Sequence, residues 1–254
     1  MAVPISLRFA EREAIVMAKF WRGWAFSLFV MPVLFLGGIG LGLGDYVDDR
    51  TIGGLDYLTF VAPGMLAMAV FQNAAGDGLW GAMGGWKWMG HFNAAIATPL
   101  QPTDVFTGWM VSRAALMACT AVTFLVAAAL LGGVPSLWGV LMVPAAVLGG
   151  LTITAWFSGF SIGRESDASF PVMIRLVILP MSFFSGTFFP LDQLPAGVKP
   201  LAMATPLWHT VELGRGATTG TLGLGDLVHL GYLVACVGLG SLYASRGFNR
   251  RLTS

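Results

Sequence analysis

The chain has 254 residues, of which 56% are hydrophobic and 11% charged, with a formal net charge of +1. Soluble domains carry about 25% charged residues, so this composition excludes a disordered chain, a basic nucleic-acid binder and an ordinary soluble enzyme domain. A polytopic membrane protein fits: each spanning helix needs roughly 20 apolar residues, and the length holds about six.

Residues 1–22 are too polar for a cleavable leader. Within them Leu7, Phe9, Ala10, Ala14, Met17, Phe20 and Trp21 recur at helical spacing, while Arg8, Glu11, Arg12, Lys19 and Arg22 take the other side. This pattern predicts an amphipathic helix at the membrane interface over residues 1–23, and the aromatic pair before an apolar run favours that place.

The expected spans are 24–43, 57–80, 105–131, 137–162, 170–189 and 227–244. The first ends in the glycine run 37–44. Its pairs Gly38/Gly42 and Gly40/Gly44 suit close helix packing, whereas a phosphate-binding loop needs a preceding strand. An acidic loop with Asp45, Asp48, Asp49 and Asp56 follows, and residues 81–104 read as a loop rich in Gly, Trp and Pro. Residues 190–225 are broken by Pro190, Pro195, Pro200 and Pro206 and carry no clean apolar run. They read as short helices at the interface, because irregular backbone at depth must be shielded. The fold expectation is therefore one all-α membrane domain over 1–254, with a six-span core (24–246) and a tail (247–254).

Six spans place both termini on one side. With the termini and the loops 81–104 and 163–170 cytoplasmic, Arg8, Arg12, Lys19, Arg22, Lys87, Arg113, Arg164, Arg175, Arg246, Arg250 and Arg251 lie inside. Those are 11 of the 14 cationic residues; Arg50, Lys199 and Arg215 lie outside. The positive-inside rule prefers this orientation, which places a bacterial plasma-membrane protein with both termini cytoplasmic.

Catalytic signatures are weak. His91, His209 and His229 lack metal-site spacing, no G-x-x-x-x-G-K-[ST] occurs, and Cys119 and Cys236 sit in apolar runs as buried thiols. His209 and Glu212, three apart, suit an interfacial hydrogen bond better than a metal. Arg175 can snorkel; Arg113 lies deeper and is expected to pair with Asp104 or Asp77 unless its helix starts later. In the 81–104 loop, Trp86, Trp88 and Phe92 are bulky apolar groups on a segment facing the cytoplasm. Residues 93–98 suit a short helix stopped by Pro99 that lies on the membrane or docks a partner.

Residues 183–216 contain SGTFFPLDQLP, then TPLWH, then E-x-x-RG, and APGMLAM (62–68) and ATPLQPTDVFTG (97–108) occur upstream. This combination resembles the type-2 ABC exporter permeases of the bacterial multidrug, daunorubicin-resistance and nodulation-export type, over nearly the whole chain. The resemblance implies a non-enzymatic permease subunit, with no cofactor of its own, that moves an amphipathic drug, lipid or glycolipid outward. ATP and Mg would be bound by two separate ATPase subunits, and a second permease copy or homologue would complete the pore. It further implies a coupling helix around Trp86, Lys87, Trp88, Phe92, Asn93, Ala97, Thr98 and Pro99; where family loops often carry an Arg just before it, this chain has Lys87. Short extracellular helices carry Pro190, Leu194, Pro206, Trp208, His209 and Glu212 at a gate. Spans one, two and five line the pore, where Phe29, Met31, Phe35, Met65, Met68, Phe71, Met181, Phe183 and Phe184 suit apolar cargo. The rival classes are a secondary carrier or channel, which would show repeated halves and broken helices, and an intramembrane enzyme, which would cluster a nucleophile, base or metal ligands.

Overall fold

The computed structural model describes residues 5–19, 33–42, 54–195 and 197–253, and among these it is helical with no strand. The elements are α1 (Ile5–Lys19), a short π-helical stretch (Leu36–Leu41), α2 (Tyr57–Trp88), α3 (His91–Ile96), α4 (Pro102–Leu130), α5 (Leu137–Ile162), α6 (Phe170–Phe184), α7 (Lys199–Met203), α8 (Pro206–Thr219) and α9 (Asp226–Leu252). Four of them, α2, α4, α5 and α9, are long and apolar enough to cross a membrane. The shortest, α5 with 26 residues, reaches about 39 Å at ~1.5 Å per residue, against a hydrocarbon core of about 30 Å. The first expected span and the acidic loop fall largely outside the described residues. The fifth, expected over 170–189, is helical only to Phe184 and is shorter than a spanning helix.

Two boundaries differ from the sequence expectation. The glycine-rich stretch after Trp80 reads as loop, yet α2 continues to Trp88 through two π-helical turns, Asp77–Gly81 and Gly84–Trp88. Glycine there serves contact rather than flexibility. A Cβ on Gly85 would lie 2.3 Å from the Phe92 ring, and one on Gly78 would lie 2.8 Å from Phe157 Cβ. Likewise α9 runs on through Arg246, Arg250 and Arg251 to Leu252, so the expected tail is mostly its last turns.

Close helix packing centres on α5. Cβ atoms on Gly149, Gly150 and Gly159 would strike Thr210 and Phe71, Met117 and Val70, and Tyr243, respectively. So α5 touches α8, α2, α4 and α9 through positions that have no side chain, as membrane helices do when small residues let backbones approach. The hydroxyls of Thr154 and Ser161 donate across to α2 carbonyls, Ala74 O at 3.2 Å and Leu79 O at 2.6 Å. Leu79 lies in the first π-helical turn, where the regular ladder is altered and a carbonyl is open to an outside donor. The expected packing glycines Gly38 and Gly42 differ: among the described residues a Cβ on either meets nothing within 4 Å.

The bundle has two distinct ends. At one lie the start of α2, the α4–α5 turn, the residues after α6, and α8. Ser136 N donates to Thr218 O at 3.1 Å, and Gly214 abuts Met142 and Pro63. At the other lie α1, the end of α2, α3, the starts of α4 and α6, and the ends of α5 and α9. Here Trp80 Nε1 donates to Asp167 Oδ2 at 3.3 Å, and Gly247 abuts Ile162.

The α8 end holds a nest of aromatic rings. His209 stacks on Tyr232 with ring centroids 3.8 Å apart, its Nδ1 lies 2.8 Å from His229 Nδ1, and Trp208 packs on the edges of both imidazoles. Burial, aided by His229, lowers the His209 pKa to about 4. The unfolded chain therefore takes up this proton first, near the ordinary value of about 6.5. The His209 contribution to stability is complete above that value and is lost as pH falls from about 6.5 to about 4. We expect the wild-type melting temperature in detergent to drop more steeply over that window than that of His209→Phe, which keeps a ring but cannot titrate. Equal slopes would show that His209 is not the responsible group.

Candidate functional site

The residues expected to form a coupling helix gather around one aromatic anchor. Phe92 on α3 is fully buried, with ring centroids 5.9 Å from Phe9, 6.0 Å from Trp109 and 5.5 Å from Phe248. It thereby joins α3 to α1, α4 and α9. Asn93 Nδ2 donates to Trp86 O at 2.8 Å, tying the short helix back to the end of α2. Gly90, with φ +65°, makes the reversal between α2 and α3 in a region that suits glycine. Trp86 is half-buried, and the rest of the expected set faces outward: Lys87, Trp88, Asn93, Ala97, Thr98 and Pro99 are exposed. Trp88 is 54% exposed and its neighbour Met89 71%. Anchor and tip are therefore different residues, a division that the loop reading does not make.

Beneath the anchor runs an ionic network. Arg113 sits deep in α4 and donates from Nη2 to Glu13 Oε2 at 3.0 Å and from Nη1 to Asp77 Oδ1 at 3.3 Å. Arg12 Nη1 lies 2.5 Å from the other Glu13 oxygen, and His91 Nε2 lies 3.7 Å from it. Two guanidinium groups thus meet two carboxylates, which satisfies the rule that buried charges be paired. Burial lowers the His91 pKa more than the Glu13 carboxylate raises it. Of the two expected partners of Arg113, Asp77 is used. Asp104 is not: its Oδ2 accepts from Gln101 N at 3.0 Å and caps α4, which starts at Pro102, three residues before the expected span. Glu13 was missed as a partner. Its signal is position: residues 9 and 13 are one helical turn apart, so this glutamate lies on the Phe9 stripe.

Contact with α4 also refines α1. Its buried stripe carries Phe9 and Glu13, while Leu7, Ile15 and Val16 remain exposed. At Gly108 of α4 an added Cβ would lie 2.3 Å from Ser6 O, so the two backbones touch. One face of α1 is thus a protein contact, and the other is exposed among the described residues.

A second tie crosses the α5–α6 loop. The Glu165 carboxylate accepts from Arg251 of α9 and lies 3.5 Å from Lys87 Nζ. Chiefly through Arg251, its pKa is held below the usual carboxylate range. The Arg251 guanidinium lies 4.1 Å above the Trp86 ring, a favourable cation–π geometry. Arg175, expected to snorkel, is exposed on α6.

The other expected residues divide. Phe29 and Met31 lie outside the described residues. Met65 and Phe71 are core residues, and Met68 and Met181 are half-buried beside them. Phe35, Phe183 and Phe184 lie on the surface. The seven described residues divide between the core and the surface. His209 and Glu212 do not pair with each other: His209 faces His229, and Glu212 Oε1 accepts from Arg215 Nη1 at 2.8 Å. Pro190, Leu194, Pro206 and Trp208 are half-buried around them. Among the described residues no group of three or more His, Cys, Asp or Glu could hold a metal ion.

The sequence was compared with known proteins. Residues 10–218 match the family model described as ABC-2 type transporter. Nodulation protein J of Rhizobium leguminosarum bv. viciae is 29% identical over 221 residues, covering 87% of this chain and 85% of that protein. Nodulation protein J of Rhizobium meliloti (strain 1021) is 28% identical over 203 residues, covering 79% and 74%. A model that matches most of the chain, together with the four apolar helices, identifies this protein as a membrane component belonging to the ABC-2 type transporter family.

Proposed function

We propose that the chain is the permease subunit of an ATP-driven exporter, energised by separate ATPase subunits that press on the tip formed by Trp88, Met89 and the outer face of α3. The supporting observation is the division between anchor and tip. Phe92 is locked among α1, α4 and α9, while Trp88 and Met89 project from the same short segment. A push on the tip reaches three helices at once through one ring. ATP does work here only if the closed ATPase pair binds one permease conformation better than the other.

In this reading the tip and both termini are cytoplasmic in a bacterial plasma membrane, and α8 faces outward. Two permease copies, or this chain and a homologue, enclose the path. The exposed apolar side chains Phe183 and Phe184 at the end of α6, and Phe189 after it, suit a cargo such as an amphipathic drug, lipid or glycolipid.

Co-purification with a P-loop ATPase tests the reading. Aromatic anchors at interfaces contribute about 2 kcal/mol or more, so Trp88→Ala with Met89→Ala should weaken ATPase association by roughly 30-fold or more while the permease stays folded. Undiminished association, or vesicle transport that needs no ATP, would sink it.

A further inference from the structure

The α8 end contains a half-buried cation whose role the coupling site does not explain. Arg215 donates from Nη1 to Glu212 Oε1 and from Nη2 to Gly186 O, each at 2.8 Å, and its guanidinium lies 4.1 Å over the Phe60 ring. It therefore ties α8 to α2 and to the turn 185–189 that follows α6. Two more contacts hold that turn. Ser185 Oγ lies 2.8 Å from the hydroxyl of Thr205, which caps α8, and Gly64 of α2 lies so close that a Cβ there would be 2.8 Å from Thr187 Cα. Ser185, Gly186 and Thr187 are buried as a result.

This closure is incomplete in hydrogen bonds. Among the described residues, Arg215 Nε and Thr187 Oγ1 are buried without a hydrogen-bond partner. Both atoms would regain partners if the turn lifted and water entered, because an unpaired buried polar group carries a desolvation penalty. The turn is thus strongly gripped at Gly186 and poorly satisfied one residue later, as suits an element with two arrangements rather than one.

We propose that Arg215 is the positioning residue of the exit gate: it clamps the turn 185–189 against α2, and release of that turn opens the outward path. The proposal rests on the export reading, which places this end outside. It names the moving element, its clamp and the atoms that bias it.

Amide hydrogen exchange of the peptide covering 185–189, measured on the assembled permease–ATPase complex in lipid nanodiscs, tests it. The wild-type turn should be protected without nucleotide and exchange faster in the state trapped with ATP and vanadate. Arg215→Gln should speed exchange of the turn without nucleotide by roughly tenfold to a hundredfold, the worth of hydrogen bonds to a charged group. The His91–Ile96 peptide should be unchanged. Glu212→Gln, which keeps the shape, should give a smaller rise. Thr187→Val, which removes the unpaired hydroxyl at constant volume, should slow exchange of the turn. A merely structural arginine would lower the melting temperature without this local and oppositely signed response. An unchanged turn in Arg215→Gln, a turn equally protected with and without trapped nucleotide, or faster exchange in Thr187→Val would each overturn the proposal. Absence of any associated ATPase would instead sink the export reading.

Discussion

Replacing Arg113 by Met should be the most damaging single change in this chain. The substitution fills the space of the stem but leaves Asp77 without its guanidinium partner and Glu13 with Arg12 alone. Removing one partner of a buried ion pair costs about 3–5 kcal/mol, because the remaining charge stays desolvated. Total stabilities are about 5–15 kcal/mol, so we expect a large fall in the melting temperature and in the yield of folded protein. The triple variant Arg113→Met, Glu13→Gln, Asp77→Asn should recover much of that loss, since no buried charge remains unpaired. If the network also transmits motion between α1, α2 and α4, the triple variant will hydrolyse ATP in complex with its ATPase yet move little cargo. A triple variant no more stable than Arg113→Met would show that the penalty is not electrostatic.

Replacing Phe92 by Ala should have the second-largest effect. Truncating a buried Phe costs about 3–5 kcal/mol, combining lost transfer free energy and the cavity left behind. Here the cavity would open among Phe9, Trp109 and Phe248, which lie on three different helices. Trp88 and Met89 are untouched, so ATPase association should survive while ATP hydrolysis and transport separate. Gly85→Ala offers a check from the other side. Its Cβ would need the space of the Phe92 ring, so it should weaken coupling in the same direction. Normal transport at a normal hydrolysis rate in Phe92→Ala would refute the anchor.

Much of the bundle was legible without coordinates. The expected second, third, fourth and sixth spans correspond to α2, α4, α5 and α9, because length and hydropathy alone mark a helix that can cross a bilayer. The short helix expected over 93–98 before Pro99 is present as α3, two residues earlier at His91–Ile96. Helix ends in glycine-rich stretches were not readable. In sequence, Gly81, Gly84 and Gly85 look like a flexible loop; in the structure Gly85 is where an aromatic ring enters. A glycine required by a neighbour cannot be told from one required by the backbone until the neighbour is known.

Pairing was the other hidden layer. Arg113 announces that it needs a carboxylate, and the sequence places Asp104 and Asp77 within reach, but Asp104 is spent on capping its own helix. Glu13, 100 positions away, completes the network. His209 and Glu212 share a helix yet turn to different partners, His229 and Arg215.

By itself, then, the sequence determined that this is a helical membrane protein, roughly where its long helices run, and which short segments interrupt them. Those are local properties, set by how many consecutive apolar residues a bilayer requires and by what proline and capping residues do to the next turn. Tertiary structure alone decided which charges meet, which glycines are contact points, and that one ring joins the exposed tip to the bundle. Such choices depend on residues distant in sequence competing for the same buried space, where each polar group accepts the partner that geometry allows.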